Sequence, residues 1–381
     1  MARTGRKPGA WAGMVCGVLL GALGLVGPVQ AQAQASLQKA LDRFILDEGI
    51  PGGVLLVDRG GQPPVTVASG LATREPDRPM RADGRFYTAS IGKMLTAVAV
   101  LQLVEEGRVK LDEPAGTYLA GLAGIERIPN GREATIRQML DHSAGLPEYY
   151  DDRFTSDLVR GRQWGVRDLL PYLYDKPALW RPGAGYEYTN TGYVLLGAVI
   201  EAVDGGDYAA SLRRRVFQRA GMTDAQVGAR GDEARLVRGY VYDDDVEDDD
   251  DVEDDDDDAE ATVDNSADSW CWLTGDGSVV ATAADMHKFL IALFRDRKLL
   301  GPAMLEAMVT PSATEPTYGL GVELSNGRQG RIAGHSGHVQ GFEGDVRFAL
   351  DRNVAVIVLF NGNQDSDTDF GADIMKQQLR R

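Results

Sequence analysis

Cysteine is scarce in this chain: two among 381 residues, at positions 16 and 271. Cys16 falls in an apolar N-terminal stretch and lacks the setting of a lipid-modified cysteine. That leaves Cys271 alone, which excludes an internal disulfide, so stability has to come from packing. Histidine is nearly as rare, with four, at 142, 287, 335 and 338. None forms a His-x-x-x-His helix pair, so metal-assisted hydrolysis of that type is excluded and neither metal nor organic cofactor is expected. Past the N-terminal stretch, no apolar run is long enough to cross a bilayer. Positive charge is also short, giving a net −17. A surface of that sign repels a phosphate backbone, so nucleic acid is not an expected partner.

The charge deficit has one source. Residues 243–260 read "DDDVEDDDDVEDDDDDAE", 15 acids in 18 positions, with "VEDDDD" in tandem. Elsewhere acids and bases nearly cancel. The run is self-repelling and poor in apolar residues, so it reads as a disordered, solvated insertion. It lacks the glycine turn of a calcium loop, which leaves weak cation binding as its alternative reading.

The N-terminal stretch has Arg3, Arg6 and Lys7, then an apolar segment over 10–26, then Pro28 and "VQAQAQA". Small residues at Ala31, Ala33 and Ala35 supply an Ala-x-Ala cleavage pattern. The pattern predicts a signal peptide over 1–35, no stable membrane anchor after its cleavage, and a periplasmic or secreted mature chain over 36–381.

Within 36–381 the periodicity predicts a helix over 36–47, then strands in "GGVLLVDRG" and "PVTVASG" joined at Gly60-Gly61. The last third repeats the strand pattern in "YGLGVEL", "GRIAGH", "VRFAL" and "VAVIVLF", with a closing helix from about Gly371. "LVRGYVYDDD" reads as a strand running into the acidic insertion, and "TAADMHKFLIALFRD" as a helix opened by Thr282. The expectation is an α+β fold: an antiparallel sheet built from both termini (about 36–89 and 275–381) and flanked by helices. A helical lobe (about 90–274) lies beside it. A cleft between lobes is the default place for a site.

Three short stretches carry chemistry. "TASIGKMLTAVAV" puts Ser90 at the mouth of an apolar helix, where it reads either as an N-cap or as a nucleophile. Lys93 stands three residues on, in a first turn where the helix dipole disfavours a cation. That spacing sets the two side chains on one face. "PGAGYEYTNTGYVLLGAVI" carries Tyr188-Thr189-Asn190 just before a buried helix, with Asn190 also readable as its cap. "GHSGHVQGFEG" carries His335-Ser336-Gly337 among glycines that permit close backbone approach. It is not a nucleophile elbow, because Gly334-His335-Ser336-Gly337-His338 lacks the final glycine of Gly-x-Ser-x-Gly.

In this order and spacing, Ser90-Ile91-Gly92-Lys93, Tyr188-Thr189-Asn190 and His335-Ser336-Gly337 resemble the three motifs of the serine β-lactamase and penicillin-binding-protein superfamily. The branch they resemble includes class C β-lactamases, D-alanyl-D-alanine carboxypeptidases and related esterases. "GRVKLDEP", "LDHSAGLPEYY" and "GDGSVVATAADMHKF" match it as well. The resemblance implies the β-lactamase-like fold and catalytic Ser90, Lys93 and Tyr188, with Ser90 forming the acyl-enzyme. Asn190, His335, Ser336 and Gly337 would bind substrate, and the backbone N–H groups of Ser90 and His338 would form the oxyanion hole. Expected substrates are a cell-wall D-alanyl peptide, a β-lactam or an ester. The branch typically carries Lys-Thr-Gly where this chain has His335-Ser336-Gly337, which favours a D-alanyl peptidase or an esterase over an efficient β-lactamase. A non-catalytic penicillin-binding module is the remaining alternative. His142 reads as structural, and Trp270 and Trp272 as candidate pocket walls.

Overall fold

The computed structural model describes residues 28–157, 162–228, 235–242, 262–264, 274–328, 330–363 and 369–380. Residues 1–27 of the expected 1–35 signal peptide, the acidic run, Trp270, Cys271 and Trp272 lie outside them.

The chain opens with α1 (Pro28–Asp47), eight residues earlier than the periodicity predicts. Pro28 at its start suits the first turn, where a missing N–H costs nothing. Strands β1 (Gly52–Asp58), β2 (Val65–Arg74) and β3 (Asp77–Pro79) follow. Gly60 and Gly61, at φ +68° and +70°, make the turn between β1 and β2. At the other end come β9 (Glu323–Gly327), β10 (Gly330–Val339), β11 (Phe342–Ala349) and β12 (Val354–Phe360). Together they form one seven-stranded antiparallel sheet in the order β3-β2-β1-β12-β11-β10-β9. The two termini therefore meet at β1 and β12, as the pattern anticipates. Both strands are buried on both faces, which is why "GGVLLVD" and "VAVIVLF" read as continuous apolar runs.

Each face of the sheet has its own cover. α1 and the closing helix, residues 370–379, lie on one, where Leu41, Phe44 and Met375 pack with Val356, Val358 and Phe360. On the other lies the larger core, which continues into the helical lobe. That lobe holds α2 (Gly92–Glu105), α3 (Ile136–Leu140), α4 (Asp152–Asp157), α5 (Val166–Leu169), α6 (Thr191–Asp204), α7 (Tyr208–Leu212) and α8 (Gln218–Ala220). α2 is buried almost all round, from Gly92 to Leu103, the mark of a helix inside a large core. Short strands β4 (Phe86–Tyr87), β5 (Gln226–Val227) and β8 (Val279–Ala281) pair beneath it. α9 (Ala283–Leu290) is capped by Thr282, whose hydroxyl accepts from the Asp285 N–H, and α10 (Pro302–Met308) precedes β9.

Two local expectations change. The strand expected in "YGLGVEL" begins only at Glu323. Gly321 stands at φ +78°, and a Cβ there would lie 2.4 Å from the Ala97 Cβ of α2. The segment before Glu323 is thus pressed onto α2 instead of joining the sheet. Strand β6 (Tyr240–Tyr242) leads into the acidic run as read, and it pairs with β7 (Thr262–Asp264) beyond it.

Candidate active site

Ser90 is not a helix cap. It sits inside a 3-10 turn, Ala89–Ile91, and the residue capping α2 is Ile91, without a side-chain bond. Ala89 before it has φ +46°, a conformation costing roughly 1–3 kcal/mol in a non-glycine residue. The turn is hemmed in on two sides. A Cβ on Gly337 of β10 would lie 2.4 Å from Thr88 O, and one on Gly277 would lie 3.0 Å from Ala89 O. Both glycines are there because backbone has to pass that close.

Lys93, in the first turn of α2, is fully buried, and its ammonium group donates three hydrogen bonds. These go to Ser90 Oγ at 2.9 Å, Asn190 Oδ1 at 2.7 Å and the Asp276 carbonyl at 2.8 Å. Burial lowers its pKa to about 8, and the charges of Asp276, Glu148 and Glu323 oppose that shift only in part. The amine is thus poised to lose a proton near neutral pH, which answers why a first turn tolerates it.

Tyr188 lines the same cleft as Ser90, near enough for the serine side chain to act on its phenol. The Lys93 nitrogen is 4.9 Å from the Tyr188 ring centre. Although 36% of the residue is open to the cleft, protein atoms crowd the ring, and their desolvation pushes the phenol well above its ordinary range. Tyr188 is therefore held as a neutral phenol. Its ring centre lies 4.3 Å from that of His142, with the two rings tilted by 35°. His142 is buried at φ +61° and accepts the Thr189 N–H on Nδ1. It supports the loop, in keeping with its structural reading.

Asn190 heads α6 but makes no side-chain cap bond. Its Oδ1 accepts a hydrogen bond from the Lys93 ammonium, and its backbone N–H donates to Glu148 Oε2 at 2.6 Å. Glu148 also accepts the Tyr150 N–H at 2.9 Å. Burial raises the Glu148 pKa against these bonds. Asp276 turns its carboxylate away, to Tyr149 and Thr274, both at 2.6 Å.

The third motif lies on β10, and side chains on a strand alternate. Ser336 and His338 line the cleft, whereas His335 does not. His335 is 1% exposed, and burial lowers its pKa. Its Nδ1 faces the Ser336 carbonyl at 2.5 Å and its Nε2 faces the Tyr318 hydroxyl at 2.8 Å. A carbonyl only accepts, so Nδ1 carries the proton and Nε2 accepts from Tyr318. The expected substrate contact through His335 is therefore corrected: the ring is neutral and turned behind Tyr188, 6.1 Å from its ring centre. Gly337 likewise packs on the Ser90 turn instead of facing the cleft.

Ser336 donates its N–H and hydroxyl to Glu323 Oε1, at 3.1 and 2.7 Å. Its N–H thus points toward the β9 edge of β10. Alternate residues of an antiparallel strand aim their N–H groups at the same edge, so the His338 N–H points there too. Pairing with β9 ends at Gly334, which leaves that stretch of the edge facing the cleft.

These groups share a cleft of about 650 Å³. Tyr87, Tyr149, Tyr150 and Val339 give it an aromatic and apolar wall, and Glu323 and Ser336 a polar one. Glu148, Asp276 and Glu323 are the site residues that motif spacing does not pick out. Among the described residues, no three His, Cys, Asp or Glu side chains gather into a metal-binding group, and no helix is long and apolar enough to cross a membrane.

The chain is similar to known proteins along most of its length. The profile of the Beta-lactamase family matches residues 31–380. The chain is 28% identical over 338 residues to penicillin-binding protein 4* of Bacillus subtilis, covering 85% of this chain and 70% of that protein. It is 34% identical over 204 residues to esterase EstB of Burkholderia gladioli, covering 51% of each. The chain thus spans between about half and 70% of the length of these curated relatives. Among solved structures, the D-amino acid amidase of Ochrobactrum anthropi SV3 superposes with a TM-score of 0.73 at 26% identity, over 91% of this chain and 96% of that one.

Proposed function

This chain belongs to the Beta-lactamase family, and on that premise we propose that it is a serine hydrolase that cleaves amides or esters through an acyl-enzyme on Ser90. The observation that carries this reading is the Lys93 ammonium group bonded to Ser90 Oγ, with Tyr188 lining the same cleft and its ring 4.9 Å from the Lys93 nitrogen.

The groups divide the proton work by their pKa values. With its pKa brought down to about 8, Lys93 is the accessible base, whereas Tyr188 is held as a phenol. Lys93 takes the Ser90 proton as Oγ bonds to the acyl carbon. The backbone N–H groups of Ser90 and His338 receive the developing oxyanion. Tyr188 donates its proton to the departing nitrogen or oxygen as the C–N or C–O bond breaks, and Lys93 restores it. Water then adds to the acyl carbon, and the Ser90–acyl bond breaks with return of the serine proton. Asn190 orients the acyl group beside Lys93, and Gly337 keeps β10 close to the nucleophile.

Of the finer activities, an esterase or amidase fits this cleft better than a D-alanyl-D-alanine carboxypeptidase. The described lining residues include no arginine or lysine to hold a terminal carboxylate, and His335 is neutral and buried. The aromatic wall suits an apolar acyl group. Relatives on both sides of that choice, a penicillin-binding protein and an esterase, are similar to the chain. Export to the periplasm or medium is part of the proposal and rests on the sequence of residues 1–35. The reading is tested by turnover of p-nitrophenyl butyrate, D-phenylalanine amide, nitrocefin and a D-alanyl-D-alanine peptide, with Ser90→Ala as control. Ester or amide hydrolysis that Ser90→Ala removes supports it. Equal turnover by both proteins refutes it.

A further inference from the structure

The polar wall of the cleft carries a charge for which the acyl-transfer chemistry has no use. Glu323, at the start of β9, lines the cleft with its side chain 37% open. Its Oε1 is engaged by Ser336, and its Oε2 receives no hydrogen bond among the described residues. The cations around it are occupied, Arg347 by Asp345 and Asp369. Lys93 spends its three protons behind Ser90. His335 lies 3.4 Å from Glu323 through Nδ1, but its proton is held by the Ser336 carbonyl. His338, the other ionisable group on this wall, faces Glu343 at 3.9 Å. The Asp276 carboxylate is closed off by Tyr149 and Thr274.

The position of Glu323 decides which part of a substrate meets it. Tyr188, the proposed donor to the leaving group, borders the third motif, where its ring neighbours His335. The Glu323 carboxylate is also the leading charge felt by the Tyr188 hydroxyl. The leaving-group side of the scissile bond therefore points toward Glu323 and Ser336. A carboxylate placed there meets a like charge, and the Ser336 hydroxyl that would bind it already donates to Glu323. A cation there meets the open Oε2 in a partly desolvated cleft.

The geometry points to Glu323 as a specificity-determining residue that selects acyl donors with a cationic or uncharged leaving group and rejects those whose leaving group carries a carboxylate. This rests on Ser90 being the nucleophile. It assigns the chain to amines, amino alcohols and neutral alcohols as leaving groups, and away from C-terminal amino acids.

Three thioesters of one acyl group isolate the effect: butyrylthiocholine, its uncharged isostere S-butyryl-3,3-dimethylbutanethiol, and S-butyryl-3-mercaptopropionate. In each, Ser90 Oγ bonds to the carbonyl carbon, the C–S bond breaks with its electrons on the thiolate, and the serine proton passes to Lys93. Thiol release is read at pH 8 and low salt, with protein melting as the check on folding. The expected order of kcat/KM is cationic, then neutral, then anionic, with the cationic-to-anionic ratio at about tenfold or more, the scale of a partly screened charge contact. The ratio should shrink toward one near 1 M salt, where screening reaches about 3 Å. Glu323→Gln, which keeps an acceptor for Ser336, should bring the ratio within about threefold of one, and Glu323→Lys should reverse the order. Should the lysine variant fail to fold, the glutamine variant decides alone. A ratio that Glu323→Gln leaves unmoved, or a wild type that prefers the anionic thioester, overturns the assignment even though Ser90 turns over. If none of the thioesters is cleaved and a fluorophosphonate leaves Ser90 unmodified, the hydrolase reading falls and takes this one with it.

Discussion

Glu148 and Lys93 grip Asn190 from opposite sides. The Asn190 backbone N–H donates to Glu148 Oε2 at 2.6 Å, and its Oδ1 accepts from the Lys93 ammonium at 2.7 Å. A carboxylate more than one helix away thus fixes the residue that shares Lys93 with Ser90. Glu148→Ala leaves the N–H groups of Asn190 and Tyr150 without their acceptor. The expected cost is about 1–3 kcal/mol of stability. A fall of at least about tenfold in kcat/KM should accompany it, because small displacements of a positioning group are expensive. Chemical denaturation and ester kinetics on the same preparation check both. Full activity in a destabilised variant would limit Glu148 to a structural part.

The lysine makes activity depend on pH with a definite sign. Only neutral Lys93 accepts the serine proton, so kcat/KM should rise with pH and level off above a midpoint near 8. Lys93→Arg, which stays protonated, should lose that limb and about 10²–10⁴ in kcat. Stability moves in the same direction. Between pH 8 and 10.5 the unfolded chain holds the lysine proton and the folded chain has released it. The Lys93 contribution to the unfolding free energy therefore increases with pH across that window. A pH profile flat from 6 to 9 contradicts the assignment of Lys93 as base.

Gly337 tests how closely β10 must approach the Ser90 turn. A Cβ there would lie 2.4 Å from the Thr88 carbonyl and 3.1 Å from Ile91 Cγ1. The first contact is backbone and has no rotamer to escape by. Gly337→Ala should therefore destabilise by about 1–3 kcal/mol and displace the Ser90 turn. A loss of turnover larger than the loss of folded protein is expected. Wild-type kinetics in Gly337→Ala would mean the approach is not needed.

The acidic run joins two strands that pair with each other. β6 and β7 run antiparallel with Tyr242 opposite Thr262, so the ends of the insertion are brought together by the fold. Replacing 243–261 with a two-residue Asn-Gly turn should keep that pairing. Turnover of a small neutral ester should stay within about threefold, since surface loop length affects stability only slowly. Removing fifteen like charges should hold or raise the melting temperature in low salt, with the difference fading near 1 M. If millimolar calcium instead raises the melting temperature of the intact chain and not of the shortened one, the run is a cation site.

Much of this was legible in the sequence, and the remainder was hidden for identifiable reasons. The i, i+3 spacing of Ser90 and Lys93 survives because it is a property of one turn. The meeting of β1 and β12 follows from two runs too apolar to lie at an edge. Of the two readings of Ser90, the sequence does not exclude the cap, because the left-handed Ala89 that lifts Ser90 out of the cap position is not written in residue type. The orientation of His335 depends on which face of β10 is turned inward, and sequence period alone does not say which. Glu148 and Glu323 are single acids without a spacing partner. Their roles come from contacts with Asn190 and Ser336 that are 42 and 13 residues away.

The central claim is that Ser90 is a nucleophile activated by Lys93 and Tyr188. Intact-mass spectrometry after exposure to a fluorophosphonate tests it most directly, followed by peptide mapping and repeated on Ser90→Ala. The account predicts one adduct per chain, mapped to Ser90 and absent from Ser90→Ala, with labelling faster at pH 8 than at pH 6. An adduct that persists in Ser90→Ala, or that maps to Ser336, would contradict it.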